Sequence, residues 1–306
     1  VIRQSLDATR LMPRICTGEV SATLETRLLN DAYSMPLVIA PTALAGLVWR
    51  DGECAMARVA EKLRIPYCVA TQSTTPIERI RHAAPDAQLW FQSYLWNDLD
   101  LSFALLERAR ALGVRTLVIT VDTPVSPDRE YNRRNGFSVP FRPTVRNVLD
   151  MVAHPGWCLR VLAHNTIRDG VPVYGHYPSH LRGNVFRASA TAVGLRKELG
   201  WDMIARVRDA WQGRLLLKGI LCPEDAIIAA ERGLDGIIVS SHGGRNLDCA
   251  PAPVEVLPLI RNAVDTRLTI LADSGVRRGA DVVKYCALGA DAVLTGRAAL
   301  YGLAAG

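Results

Sequence analysis

The sequence predicts an α/β chain folded as a closed TIM (β/α)8 barrel, with an N-terminal hairpin lid and a long insertion after the fourth strand. Three observations predict it. Short apolar runs rich in β-branched residues recur along the 306 residues, at 37–40, 67–70, 89–92, 116–121, 215–218, 236–240, 269–273 and 292–295. Helical apolar spacing follows most of them, and strand alternating with helix is the pattern of a parallel sheet covered on its outer face. No G-x-G-x-x-G follows the first strand, which weighs against an open dinucleotide-binding sheet.

Taken in order, alternating segments near 11–16 and 22–28 flank Thr17-Gly18-Glu19, a turn signal that predicts the hairpin lid. Helices are expected at 52–63, 76–83, 99–112, 201–211, 223–232, 254–263 and 278–288, with the eighth expected beyond Gly306. The chain opens on Val1 and stops just after residues 300–305, so both ends read as trimmed. Residues 1–306 are read as one barrel domain.

One interval breaks the rhythm. Strand four ends near Val121 and its helix begins near Trp201, leaving an inserted excursion at 142–200. Between Arg142 and Lys197 the basic residues Arg142, Arg146, Arg160, Arg168, Arg182, Arg187, Arg196 and Lys197 face only Asp150 and Asp169, with Trp157, Leu159, Val161 and Leu162 interleaved. Basic and partly apolar, this stretch reads equally as a surface for an anionic membrane or as an active-site lid.

Composition narrows the function. Hydrophobic residues at 49% with charged residues at 22% describe an ordinary globular chain. The net charge of +6 comes without a lysine run, zinc-finger spacing or a basic helix, so no nucleic-acid partner is expected. Seven scattered cysteines without CxxC spacing predict neither disulfides nor a metal site, and fit a cytoplasmic location. The longest apolar stretch, 35–49, is broken by Pro36, Pro41 and Gly46 and is too short to span a bilayer.

Barrel active sites lie at the carboxyl ends of the strands. Standing there are Pro41, Thr42 and Ala43 after strand one, Gln92 and Tyr94 after strand three, and Thr120, Asp122 and Arg129 after strand four. Lys218 ends strand five, and Ser240, His242 and Arg245 end strand six. Asp273, Ser274, Gly275 and Arg277 end strand seven, and Gly296 and Arg297 end strand eight. Glycines beside arginines after the last two strands are a pattern for phosphate.

The segments Ser240-Ser241-His242-Gly243-Gly244-Arg245-Asn246-Leu247-Asp248, Leu217-Lys218-Gly219, Asp273-Ser274-Gly275-Val276-Arg277-Arg278-Gly279 and Thr120-Val121-Asp122-Thr123-Pro124 resemble the FMN-dependent α-hydroxy acid oxidase and dehydrogenase family. The likeness runs from about Arg10 to the end of the chain. Met35-Pro36-Leu37, His154-Pro155-Gly156-Trp157 and Leu247-Asp248-Cys249-Ala250 resemble its mandelate- and lactate-oxidising branches.

The resemblance implies oxidation of an (S)-2-hydroxy acid to the 2-oxo acid with FMN as two-electron acceptor. It implies His242 as base, Asp122 as its partner, Arg129 and Arg245 as holders of the substrate carboxylate, and Tyr94 as a substrate hydrogen bonder. Lys218 is implied beside the flavin N1–C2=O edge. Gln92, Thr120, Ser240 and the backbone of Pro41, Thr42 and Ala43 are implied for the flavin ring and ribityl chain, and Asp273, Ser274, Gly275, Arg277, Gly296 and Arg297 for ribityl and phosphate.

Three departures stand out. The family tyrosine from the N-terminal helix has no counterpart, Ala70 stands where a serine often meets the flavin, and Ser241 replaces an asparagine. A homotetramer is implied. Docking on the inner face of the cell membrane would imply a quinone acceptor, and a lid would imply oxygen or a soluble acceptor. The alternatives are an oxygen-using 2-hydroxy acid oxidase and a flavin or phosphate barrel isomerase.

Overall fold

The structure, a computed structural model, describes residues 2–16, 18, 22–125, 129–138, 140–182, 184 and 194–305. A hairpin of β1 (Thr26–Leu28) and β2 (Asp31–Tyr33) precedes the barrel strands β3 (Leu37–Ile39), β4 (Tyr67–Ala70), β5 (Leu89–Ser93), β6 (Thr116–Thr120), β7 (Arg214–Ile220), β8 (Gly236–Val239), β9 (Thr269–Ala272) and β10 (Ala292–Thr295). These eight close into one parallel barrel, with β10 bonded to both β3 and β9. Helices α1 (Ile2–Ala8), α2 (Gly52–Leu63), α3 (Ile77–Ala83) and α4 (Leu99–Ala111) come first. After β6 comes α5 (Glu130–Arg134), and the excursion holds α6 (Val145–Ala153), α7 (Pro155–Trp157) and α8 (His164–Asp169); then follow α9 (Trp201–Ala210), α10 (Pro223–Glu231), α11 (Pro253–Val264), α12 (Gly279–Ala287) and α13 (Arg297–Ala305).

Side chains alternate across a strand, so each barrel strand divides into two sets. Phe91, Leu117, Ile119, Leu215, Leu217, Ile237, Val239 and Ile270 belong to the outer core under the helices. Val38, Cys68, Trp90, Val118, Leu216, Ile238, Leu271, Ala292 and Leu294 form a separate inner cluster that fills the barrel. Stepping two residues onward from the inner set gives Gln92, Thr120, Lys218, Ser240 and Asp273, all buried. An apolar plug is thus topped by a polar layer at the carboxyl end.

The hairpin lies elsewhere than the sequence suggested. Residues 11–16 form no strand, and Thr17 and Glu19 of the expected turn lie outside the described residues. The turn is Leu29-Asn30, both left-handed with φ of 53° and 68°, which suits the twist of a two-residue hairpin. No glycine marks it. Leucine in that region costs about 1–2 kcal/mol, offset by burying a leucine side chain, worth about 1.5–3 kcal/mol. Leu28, Leu29 and Tyr33 join the inner cluster, and Asp31 pairs with Arg214 at the start of β7. The hairpin therefore closes the amino-terminal mouth of the barrel, opposite the polar layer.

One further expectation is corrected. The eighth helix lies within the chain as α13, where alanines at 298, 299, 304 and 305 favour helix and Leu300 and Leu303 pack on the core. Residues 2–8 form α1, with Leu6 fully buried.

Arg187 lies outside the described residues; the described part of the excursion carries several short helices and is fastened to the barrel. The Trp157 indole N–H donates to the Leu47 carbonyl at 3.0 Å, and the Asn165 amide donates to the Gly46 carbonyl at 2.8 Å. Arg79 joins Asp51 and Asp169. Its returning limb brings His176 against the Phe91 ring, edge-on at 5.3 Å, with Nδ1 3.1 Å from the Thr71 carbonyl. His176 is 2% exposed and its Nε2 has no hydrogen-bond partner among the described residues. Burial pushes it down to about 4.

A histidine that stays neutral when folded contributes stability that is present above its unfolded pKa of roughly 6.5 and lost as pH falls towards 4. Denaturant titrations at pH 7 and pH 4.5 should show the wild type losing about 2 to 3 kcal/mol more than His176→Gln over that interval. Equal losses would remove His176 from acid sensitivity.

Candidate active site

The polar layer is built around a buried ion pair. The Lys218 ammonium donates to Asp273 Oδ2 at 3.0 Å and to Ser240 Oγ at 2.8 Å. Burial by itself would lower Lys218, yet Asp273 and Asp122 beside it hold it above the ordinary lysine value. Burial likewise would raise Asp273, but Lys218, Ser240 and Ser274 hold it below the ordinary carboxylate range. Both stay charged. An ammonium has three donors and two are used, which leaves one N–H for a ligand.

Beside this pair, His242 Nδ1 lies 3.0 and 3.1 Å from the two Asp122 oxygens. The carboxylate fixes the proton on Nδ1 and leaves Nε2 as the acceptor. His242 itself sits at φ 54°, in a short turn whose next two residues, Gly243 and Gly244, are also left-handed. Its N–H donates to Ser240 Oγ at 3.1 Å, and Gly243 N–H donates to Ser274 Oγ at 3.1 Å. Asp122 is admitted by Gly219, at φ 109° in a register shift between Lys218 and Ile220. A Cβ at Gly219 would stand 2.5 Å from the Asp122 Cβ.

Three cations gather here. Arg245 is pushed below its usual value by burial first, then by the neighbouring Arg129 and Arg297 charges. Neither Arg129 nor Arg245 has a carboxylate partner among the described residues, and the buried Arg129 Nε has no hydrogen bond. Tyr94, pushed up to about 12 by burial, lies in the field of Lys218, Asp122, Arg129 and Arg245 and stays a neutral phenol. The site therefore holds uncompensated positive charge next to a base.

The residues fit FMN. Thr42 Oγ1, in the Pro41-Thr42-Ala43 turn after β3, is buried without a partner among the described residues. Gln92 Nε2 donates to Thr120 Oγ1 at 2.9 Å, forming a polar rung across β5 and β6. After β9, the N–H groups of Ser274, Gly275 and Val276 find no backbone acceptor among the described residues. After β10, Gly296 leads into the donor end of α13, from which Arg297 reaches the Gly243 carbonyl at 3.5 Å. Arg277 stands apart, exposed, with its N–H taken by Asp281. Ser241 keeps a bond in the asparagine's place, donating to Ser274 Oγ at 3.3 Å.

The sequence reading missed Asn246 and Thr71. Asn246 donates to the Asp122 carbonyl at 2.9 Å, bracing the carboxylate loop. Thr71 donates to the Gln92 carbonyl at 2.7 Å and accepts the Tyr94 N–H at 3.0 Å. Asn246 follows Arg245 directly, which was the available signal; Thr71 had none.

The sequence profile of FMN-dependent dehydrogenases matches residues 2–306. An L-lactate dehydrogenase of Pectobacterium atrosepticum is 41% identical over 297 residues, covering 96% of this chain and 76% of that one. A crystal structure of the monotopic membrane protein (S)-mandelate dehydrogenase superposes with a TM-score of 0.90 at 38% identity, over 99% of this chain and 79% of that one. A mandelate oxidase variant with (S)-mandelic acid gives a TM-score of 0.78 at 31% identity, over 99% and 76%. With its barrel, its polar layer and this coverage, the chain belongs to the family of FMN-dependent dehydrogenases that oxidise 2-hydroxy acids.

Proposed function

We propose that the protein oxidises a lactate- or mandelate-like (S)-2-hydroxy acid to its 2-oxo acid, with His242 as the base. The observation that carries this reading is a histidine poised by Asp122 beside guanidiniums without a carboxylate partner. Arg129 and Arg245 hold the substrate carboxylate, whose negative charge relieves their mutual repulsion. Tyr94 donates its phenol to the substrate. His242 Nε2 accepts a substrate proton, and Asp122 stabilises the imidazolium that results. FMN, when bound, supplies the two-electron acceptor. The third Lys218 donor would be free to stabilise negative charge on the cofactor, while Gln92, Thr120, Ser240 and the turn Pro41, Thr42 and Ala43 would hold its ring. Asp273, Ser274, Gly275, Gly296 and Arg297 hold its ribityl chain and phosphate, with Arg277 at the margin.

The decisive experiment is an anaerobic visible spectrum of the FMN-loaded protein titrated with (S)-mandelate, L-lactate and glycolate. Bleaching by one of them is expected, and a flavin that stays oxidised with all three would refute the reading. His242→Gln should retain FMN while bleaching slows about 100- to 10,000-fold; undiminished bleaching would remove His242 from the role of base. Gly219→Ala should displace Asp122 and slow bleaching about 100-fold. Wild-type speed would mean that the carboxylate's position does not matter.

We further propose that the excursion, residues 142–200, rests on an anionic membrane surface on the cytoplasmic side, where electrons taken up by the flavin would pass to a quinone. Val145, Val148, Leu149 and Val152 are exposed at helical spacing along α6, which buries none of its residues. Leu159 and Ile167 add 69% and 86% exposed apolar side chains, with Arg142, Arg146 and Arg160 nearby in sequence. Such a face inserts apolar side chains between lipids while arginines meet headgroups. The monotopic (S)-mandelate dehydrogenase supports the idea, and no helix of the described residues is long and apolar enough to cross a membrane. Leu149→Asp with Val152→Asp should cut co-sedimentation with phosphatidylglycerol vesicles at least about tenfold at unchanged hydroxy-acid bleaching. Equal sedimentation would sink the membrane proposal. A homotetramer, as the family resemblance implies, completes the reading.

A further inference from the structure

The loop after β9 has an uncommon backbone. Ser274 and Gly275 are both left-handed, at φ 81° and 82°. Three successive carbonyls of this loop lie within hydrogen-bond reach of side chains from outside the polar layer, two of them sharing one hydroxyl. The buried Tyr285 hydroxyl, from α12, lies 2.9 Å from the Asp273 carbonyl and 2.8 Å from the Ser274 carbonyl. The Arg3 guanidinium, from α1, donates to the Gly275 carbonyl at 2.8 Å.

Peptide planarity turns these contacts into a directional device. In a trans peptide the C=O and the following N–H point in opposite directions. Holding the carbonyls of residues 273, 274 and 275 therefore turns the N–H groups of Ser274, Gly275 and Val276 the other way. Those are the N–H groups that lack a backbone acceptor. Consecutive N–H groups in such a loop make an anion cradle.

Arg3 is itself fixed. It pairs with Asp281 Oδ2 at 2.7 Å, and the same oxygen accepts the N–H groups of Arg277 and Arg278 at 2.9 and 3.0 Å. Asp281 thus occupies the start of α12 and directs any anion to the N–H groups before it. Arg3 also pairs with Asp7 within α1.

We infer that Arg3 and Tyr285 are positioning residues that clamp the loop carbonyls from behind and thereby build the phosphate cradle of the flavin site. The inference rests on the proposed FMN reading of that site. It makes α1, which touches none of the reacting groups, a determinant of cofactor retention.

The test separates phosphate from flavin. Full-length protein stripped of cofactor is titrated with FMN and with riboflavin, which lacks only the phosphate, and quenching of flavin fluorescence reports affinity. Wild type should prefer FMN. Arg3→Ala should weaken FMN about tenfold, the loss expected for a charge-assisted hydrogen bond, and leave riboflavin unchanged. Arg3→Lys should recover part of the loss, and Tyr285→Phe should show the same selective defect. Equal weakening of both flavins, or no weakening of FMN, would overturn the clamp. Arg3 is partly exposed, so its variants decide the matter even if Tyr285→Phe does not fold. Wild-type protein that binds riboflavin as tightly as FMN overturns the phosphate assignment and the clamp with it. Wild-type protein that binds neither flavin overturns the reading on which both rest.

Discussion

Everything in the site depends on the two-residue period of a strand closed into a barrel. Once Trp90, Val118, Leu216, Ile238 and Leu271 point inward to fill the barrel, Gln92, Thr120, Lys218, Ser240 and Asp273 have no choice but to point inward as well. A slip of one residue in any strand would send a polar group under the helices and a hydrophobe into the site. Packing of the inner cluster and placement of the chemistry are therefore one event, and neither is adjustable without the other.

That arrangement concentrates charge where water is scarce. Lys218 and Asp273 satisfy each other, aided by Ser240 and Ser274, so their burial carries little net stabilisation while the loss of either would strand the other. Arg129 and Arg245 are not so served. Their repulsion is a standing instability of the folded chain, sited where an anion removes it. On the proposed reading, stability and recognition are set against each other here: replacing one guanidinium with an apolar side chain would ease the fold and weaken the hold on a substrate carboxylate.

The sequence disclosed most of this because the site residues are chemically out of place. A lysine or an aspartate ending an apolar β-branched run has to be explained, and so does a histidine followed by two glycines. What it hid were relations rather than residues. Thr71 acts through Gln92 and Asn246 through Asp122, and nothing in their local surroundings announces those partners. Arg3 meets Gly275 across 272 positions. The hairpin was misplaced because Leu29-Asn30 turns without glycine, its strain borne by side-chain burial that only the folded barrel supplies. In the excursion, a basic and partly apolar composition suggested a membrane surface or a lid, although α6 carries apolar residues at helical spacing. That pattern was legible, and composition outweighed it.

The sealed amino-terminal mouth has a consequence for access. With Leu28, Leu29 and Tyr33 filling one end of the barrel, traffic to the polar layer is confined to the other. Whatever enters or leaves the polar layer therefore crosses the same rim of loops, so a change in any one of those loops bears on every reactant at once.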